Sequence, residues 1–295
     1  MKIESFLQEN ANLVDEYLER HFLSLSEDSS LIPPILYGVK GGKKIRASLI
    51  LATGLGYGIK KEHLLPIASA IEMIHAFSLV HDDLPCMDND DYRRGKPSMH
   101  RAFGEAMAVL VGDALLIEGL RLIVGNEELI KFLGEKKVLD IINVILEALG
   151  IEGMVGGQVL DLEGEGRGVS EEEVWKIYHL KTGSFLTASI LCGAIAGSAT
   201  SQEKEVLEEF GMLLGECFQI KDDILDVTQE KEVLGKTPGK DKIQDKATLV
   251  KIKGVKDSEE IMKNKWEKAV QLLSSLSRPF PLLLEIARFV IERKY

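Results

Sequence analysis

Apolar residues recur at helical spacing through nearly every long segment of this chain, and that periodicity argues against a sheet-based fold. Phe6, Leu13 and Leu18 near the start, the run from Leu139 to Leu149, and Val206, Phe210, Leu213 and Leu214 all mark helix faces. Strand-like alternation bounded by tight-turn residues is scarce. Gly and Pro fall mostly between the runs, at Pro33-Pro34, Gly41-Gly42, Gly164 to Gly168 and Pro238-Gly239. Ser170, followed by Glu171, Glu172 and Glu173, reads as an N-cap with acids in the first helical turn. Phe185 to Ala199 is the most apolar stretch; Gly193 and Gly197 break it and it is short for a bilayer span, so it predicts a buried helix. With no internal repeat, low-complexity tract or linker, the expectation is a single large all-α domain over residues 1–295.

Two aspartate clusters stand out against this helical background. In the second half, helical advance puts Gln219 roughly 60°, Asp223 about 100° and Asp226 about 40° from Asp222. Three carboxylates and an amide then share one polar face, while Ile220, Ile224 and Leu225 point elsewhere. Carboxylates this close repel unless a cation neutralises them, and an all-oxygen set suits Mg²⁺, which keeps waters and shares its shell with phosphates. A solvated acidic helix face would have the same composition. The first half carries its own cluster, with Asp82, Asp83, Asp88, Asp90 and Asp91 at the end of the apolar run Leu65 to Val80. Pro85 predicts that the helix ends or distorts just past the first acids. An uninterrupted helix would leave Asp82 and Asp88 about 120° apart, so a local bulge is expected if both serve one cation. Arg93 and Arg94 follow, suited to bidentate contacts with phosphate. A charged loop balancing itself with surface pairs is the alternative. Two independent clusters, each closing an apolar helix, argue against it.

The formal net charge of −11 argues against a nucleic-acid partner, which calls for a basic surface. An anionic substrate would need metal ions or a local group of Lys and Arg to reverse the field. Cys86, Cys192 and Cys217 are widely spaced and make no CxxC pattern, so reduced thiols and a cytoplasmic location are expected. Acidic residues interrupt Met1 to Phe22, unlike a signal peptide, and no membrane span is expected.

Taken in order, these residues resemble the trans-isoprenyl diphosphate synthase family over most of the chain. Asp82 to Asp88 resembles the family's first aspartate-rich motif in its longer form, and Asp222 to Asp226 resembles the second. The resemblance implies Asp82, Asp83, Asp88, Asp222, Asp223 and Asp226 as metal ligands. Gly41-Gly42-Lys43-Lys44-Ile45-Arg46 resembles the basic motif that grips isopentenyl diphosphate, with Lys44 and Ala47 standing where the family usually has Arg and Pro. His75 stands where the family places another ligand of that diphosphate, in helical register with Asp82. Gln158 and Asp161 match a further pair, Asp161 reaching the metals through water. Lys181-Thr182-Gly183 matches a kinked helix beside the reacting carbon, and Gly235-Lys236 and Lys246 match lysines that reach the allylic diphosphate. His81, His100 and His179 carry no such match and read as structural.

What the resemblance implies is an isoprenoid synthase fold around a central cavity. An allylic diphosphate is expected between the two Asp clusters with about three Mg²⁺ ions. Arg93, Lys181, Lys236 and Lys246 would add charge at the leaving diphosphate. Isopentenyl diphosphate would sit on Lys43, Arg46, His75 and Arg94, and Gln219, Thr182 and the backbone near Lys181 would face the carbocation. The resemblance implies that Phe77 and Ser78, just before Asp82, set product length; in the family an aromatic residue at the Phe77 position, with the longer first motif, goes with a farnesyl product, a geranylgeranyl product being the alternative. A homodimer is expected. A terpene cyclase would share the fold but carry Asn, Ser or Thr, and Glu in its second metal motif. A non-catalytic subunit would have no use for intact charge clusters at both sites.

Overall fold

Helices α1 (Ile3–Leu25), α2 (Ile32–Val39), α3 (Ile45–Gly56) and α4 (Lys61–Asp82) open the chain. A two-stranded hairpin follows, β1 (Tyr92–Arg93) and β2 (Lys96–Pro97). Then come α5 (Met99–Phe103), α6 (Glu105–Val124), α7 (Glu127–Leu133), α8 (Glu135–Leu149), α9 (Met154–Gly164) and α10 (Glu171–Ile177). A π-helical turn, Tyr178–Gly183, joins α10 to α11 (Ser184–Ala196). The chain continues through α12 (Ser201–Thr228), α13 (Leu249–Lys253), α14 (Val255–Ser275) and α15 (Pro281–Glu292). The computed structural model describes residues 2–25, 29–228 and 246–293, and within them the architecture is all-α. Gly235 and Lys236, matched above to a diphosphate-binding segment, lie outside the described residues.

Two helices form the centre because their apolar residues face every direction rather than one stripe. Ile67, Ala68, Ala70, Ile71, Met73 and Ile74 of α4 are fully buried against α1, α2, α3 and α6. α11 is likewise buried all round, from Phe185 to Ala196, against α3, α8 and α12. By length and composition α4 could cross a membrane, but 72% of its apolar window is buried inside the protein, as in a core helix. The amphipathic helices around this pair are set by local chemistry. Ser170 caps α10 in a full capping box, its hydroxyl accepting from Glu173 N–H while the Glu173 carboxylate accepts from Ser170 N–H.

Candidate active site

The first aspartate wall is built by the way α4 ends. Pro85 has no N–H to continue the helix, and α4 stops at Asp82. The helix ends as Pro85 predicts, and in place of the expected bulge the chain reverses in tight turns. Asp88 N–H donates to the Asp82 carbonyl at 2.8 Å, and Asp90 N–H to the Asp83 carbonyl at 3.2 Å. This folds Asp88 back beside Asp82, and both line a cavity of about 190 Å³.

The opposite wall is the C-terminal part of α12, where Gln219, Asp222, Asp223 and Asp226 line the same cavity, as the helical angles require. Buried Tyr178 of the π-turn donates its hydroxyl to Asp223 and accepts from Leu249 N–H at 2.8 Å, locking that carboxylate in place. Gln219 Nε2 donates to the other Asp223 oxygen at 3.0 Å. Asp222 is held at 2.5 Å by Arg293, which follows α15. Between the walls, Lys181 reaches Asp161 at 2.5 Å, and Lys246 lies 3.2 Å from Asp88 and 3.9 Å from Asp161. Burial works against the Lys181 charge, but Asp161, Asp82 and Asp88 outweigh it and raise its pKa. Burial pushes the Asp82 carboxyl up to about 6 even though Lys181 opposes the rise. For Asp88, Lys246 and Lys181 overcome burial and lower the pKa.

A larger cavity of about 770 Å³ adjoins the first; Asp82, Arg93, Lys181, Gln219 and Asp222 line both. Its far side is basic. Lys43, Arg46, His75, Arg94 and Arg293 line it, with the buried Glu72 among them. Arg46 Nη1 lies 3.2 Å from His75 Nε2. Burial, together with Arg46 and Arg94, keeps His75 well below the usual imidazole value, which favours the neutral ring. Burial likewise brings Arg46 down to about 10 against the pull of Glu72. Arg94 is the first residue of a two-residue hairpin turn; with φ of 54° there and 74° at Gly95, both central residues are left-handed, as a type I′ turn demands. Its guanidinium then lies across the Gly41-Gly42 loop, donating to the Gly41 carbonyl at 3.3 Å, where a Cβ on Gly42 would sit 2.9 Å from it. Arg46 Nε and Gln158 Nε2 are buried without a hydrogen-bond partner among the described residues.

The two cavities meet at the π-turn, where the Thr182 hydroxyl donates to Gln219 Oε1 at 2.9 Å. The kink expected at Lys181-Thr182-Gly183 is thus a stretch of π-helix, a geometry that turns side chains and carbonyls into a site. Phe77 and Ser78 line the large cavity, Phe77 edge-on to His81 with ring centroids 5.0 Å apart.

One expected ligand stands elsewhere. Asp83 faces away from the acidic cavity and clasps Arg93, whose Nε lies 3.1 and 3.2 Å from its two oxygens. Asp90 instead lines that cavity and also meets Arg93, at 3.4 Å. Four contributors escaped the sequence reading. Asp90 sat inside the quoted cluster without a role, and Tyr178 lies one turn before Lys181. Glu72 and Arg293 gave no local signal. Among the described residues no three His, Cys, Asp or Glu converge closely enough to enclose a metal ion by themselves. Oxygen donors on two facing walls fit a hard cation that completes its shell with water and ligand oxygens rather than a protein cage.

The polyprenyl synthetase family profile matches residues 29–276. Farnesyl diphosphate synthase of Bacillus subtilis (strain 168) is 38% identical over 295 residues, covering 100% of this chain and 99% of that protein. The large subunit 1 of the chloroplastic heterodimeric geranylgeranyl pyrophosphate synthase of Arabidopsis thaliana is 39% identical over 298 residues, covering 98% of this chain and 79% of that one. Among solved structures, geranyltransferase from Helicobacter pylori complexed with magnesium and isoprenyl diphosphate superposes with a TM-score of 0.85 at 31% identity, over 99% of this chain and 97% of its own. Family profile, full-length relatives and fold agree with the paired acidic and basic cavities: the chain belongs to the polyprenyl synthetase family.

Proposed function

We propose that this protein is a Mg²⁺-dependent short-chain trans-prenyltransferase that condenses isopentenyl diphosphate with dimethylallyl or geranyl diphosphate to give farnesyl diphosphate. The observation that carries this reading is the junction of an acidic and a basic cavity at Lys181, Thr182 and Gln219. Two diphosphates need two different kinds of anion site, and two carbons that are to bond need those sites to open onto each other.

Asp82, Asp88, Asp222, Asp223 and Asp226 would hold the metal ions; bound Mg²⁺ would stabilise the charge that develops on the leaving diphosphate. Lys181 and Lys246 lie between the carboxylate walls and add fixed positive charge there. Asp83 serves this site by fixing Arg93. In the basic cavity, Lys43, Arg46 and Arg94 bind the isopentenyl diphosphate, and neutral His75 donates one ring N–H while its other nitrogen faces Arg46. The Thr182 hydroxyl donates to Gln219 Oε1 at the junction, and the two oxygens would stabilise the allylic carbon there as it becomes cationic. As the allylic carbon–oxygen bond breaks, the terminal carbon of the isopentenyl double bond attacks the allylic carbon and leaves a tertiary cation on the isopentenyl unit. A proton from the CH₂ beside that cation then passes to the departing diphosphate, and its C–H electrons form the new double bond. The rest of the large cavity is lined by apolar side chains, among them Phe77, Met154, Val159 and Leu162, which would face the growing hydrocarbon chain.

The Phe77 ring at the cavity wall favours a farnesyl over a geranylgeranyl product. The reading includes a single catalytic unit spanning 1–295, a cytoplasmic location and a homodimer. The dimer is supported by apolar residues left exposed at seven-residue spacing, Leu110, Ile117 and Val124 on α6 and Leu139 and Leu146 on α8. The test is to supply dimethylallyl diphosphate and labelled isopentenyl diphosphate with Mg²⁺ and size the products. A fifteen-carbon (farnesyl) diphosphate is expected, and absence of any chain elongation contradicts the proposal.

A further inference from the structure

The π-turn carrying Lys181 and Thr182 is gripped by two helices at backbone contact, and the two contacts repeat one pattern. On α9, a Cβ at Gly157 would lie 2.3 Å from the Lys181 nitrogen and 2.7 Å from its Cα. Four residues on, Asp161 takes the Lys181 ammonium at 2.5 Å. On α12, a Cβ at Gly215 would lie 2.5 Å from Gly183 Cα. Four residues on, Gln219 accepts from Thr182 at 2.9 Å. Residues four apart stand one above the other on a helix face. Each helix therefore offers a bare backbone to the turn and, one turn along, the side chain that fixes a site residue. Glu216, next to Gly215 and buried, ties the outer side of the same turn by accepting from His179 and pairing with Lys265 of α14 at 2.7 Å. π-Helical turns are rare because α geometry packs better, so this one persists where its surroundings hold it.

We propose that Gly157 and Gly215 are positioning residues for the condensation. They let α9 and α12 touch the π-turn backbone, and this sets the Lys181 ammonium and the Thr182 hydroxyl where the two cavities meet. The inference rests on the prenyltransferase reading. A methyl at either glycine meets main-chain atoms, which cannot swing aside as a side-chain tip does. The turn must shift, and misplacement of a reacting geometry by about 1 Å costs roughly a hundredfold in rate. Gly211 supplies a control on the same helix. Its Cβ would lie 2.7 Å from Thr187 Oγ1 and 2.9 Å from Thr187 Cα, also too close to fit without a shift though less severely, and on α11 beyond the turn.

The experiment measures kcat, the KM for isopentenyl diphosphate and the thermal midpoint for Gly157→Ala, Gly215→Ala and Gly211→Ala. The first is repeated in a Lys181→Ala background and the second in Thr182→Ala. All three single variants should lose thermal stability. Gly157→Ala and Gly215→Ala should lose kcat roughly a hundredfold with the KM for isopentenyl diphosphate within about twofold, because its basic cluster lies on other elements. Gly211→Ala should keep its kcat. In the alanine backgrounds each glycine substitution should cost less than about threefold more, since its partner is already gone. Undiminished losses in those backgrounds, or an equal kcat loss in Gly211→Ala, would show general packing instead and overturn the proposal. Should a glycine variant fail to fold, Glu216→Ala loosens the same turn without adding atoms. It should lower kcat about tenfold, and by less when Thr182 is absent; an unchanged kcat overturns the proposal. Wild-type protein that makes no prenyl product would instead sink the prenyltransferase reading, so the two failures are told apart.

Discussion

Asp82 opens onto the acidic cavity yet lies deep in the protein, and its raised pKa of about 6 has two consequences of opposite sign. A protonated carboxyl is a poor ligand for Mg²⁺, so metal affinity should be full above pH 6 or so and fall as pH drops through that value. In the metal-free protein the folded state holds this proton more tightly than the unfolded chain. Asp82 therefore favours folding below the ordinary carboxylate range, and that contribution is lost as pH rises through about 6. Added Mg²⁺ should raise the thermal midpoint of chelator-treated protein far more at about pH 7.5 than at about pH 5; an equal rise at both would remove Asp82 from the metal site. Five residues earlier, Phe77 packs edge-on against His81 and forms part of the large cavity's wall. Phe77→Ala should lengthen the products, read by chromatography, and an unchanged product spectrum would mean that another side chain sets the limit. Helical angles alone turn Phe77 about 140° from Asp82. The two residues still share a cavity, because one wide enough for a prenyl chain lines more than one face of α4. Asp83 was legible as an acid but not as the clasp of Arg93, since its partner comes from a hairpin ten residues away.

At the level of elements, the sequence was most informative where a local rule decides the outcome. The all-round apolar runs of α4 and α11, the capping box of Ser170 and the polar face of α12 needed only periodicity and capping chemistry. The end of α4 was legible in part: Pro85 announced a break, but the reversal that returns Asp88 to Asp82 depends on backbone hydrogen bonds that no spacing rule supplies. The hairpin of Arg94 was missed because its strands are two residues long, and Arg94-Gly95 lacks the usual Asn or Asp of a type I′ turn. Arg94 holds a left-handed conformation that costs a side-chain-bearing residue about 1 kcal/mol, and glycine nothing. Arg94→Gly should therefore fold at least as stably as the parent while its KM for isopentenyl diphosphate rises about tenfold or more. A lower thermal midpoint with unchanged KM would assign Arg94 to the fold rather than to the substrate.

Across the whole molecule, the described residues bring two charge clusters from opposite halves of the chain to one place. A net charge of −11 is reconciled with anionic substrates by partial segregation: Asp88, Asp161, Asp223 and Asp226 line one cavity only, and Lys43, Arg46 and Arg94 the next. The exposed apolar series on α6 and α8 belongs to this scale as well. The proposed homodimer predicts twice the chain mass for the wild type in light scattering and the single-chain mass for Ile117→Glu with Leu146→Glu; a wild type at the single-chain mass contradicts the dimer, and a double variant that keeps the doubled mass places its interface elsewhere. Arg293 shows the limit of reading a sequence locally, because only the folded chain brings the residue after α15 to Asp222. In the proposed function, two facing carboxylate walls bind a diphosphate through divalent cations. Calorimetric titration of an inert allylic thiodiphosphate tests it most directly, into wild-type protein, Asp82→Ala and Asp222→Ala, with Mg²⁺ and with a chelator. Binding should require Mg²⁺ and fall by about a hundredfold or more in each variant; binding of equal strength in chelator, or in either variant, would contradict it.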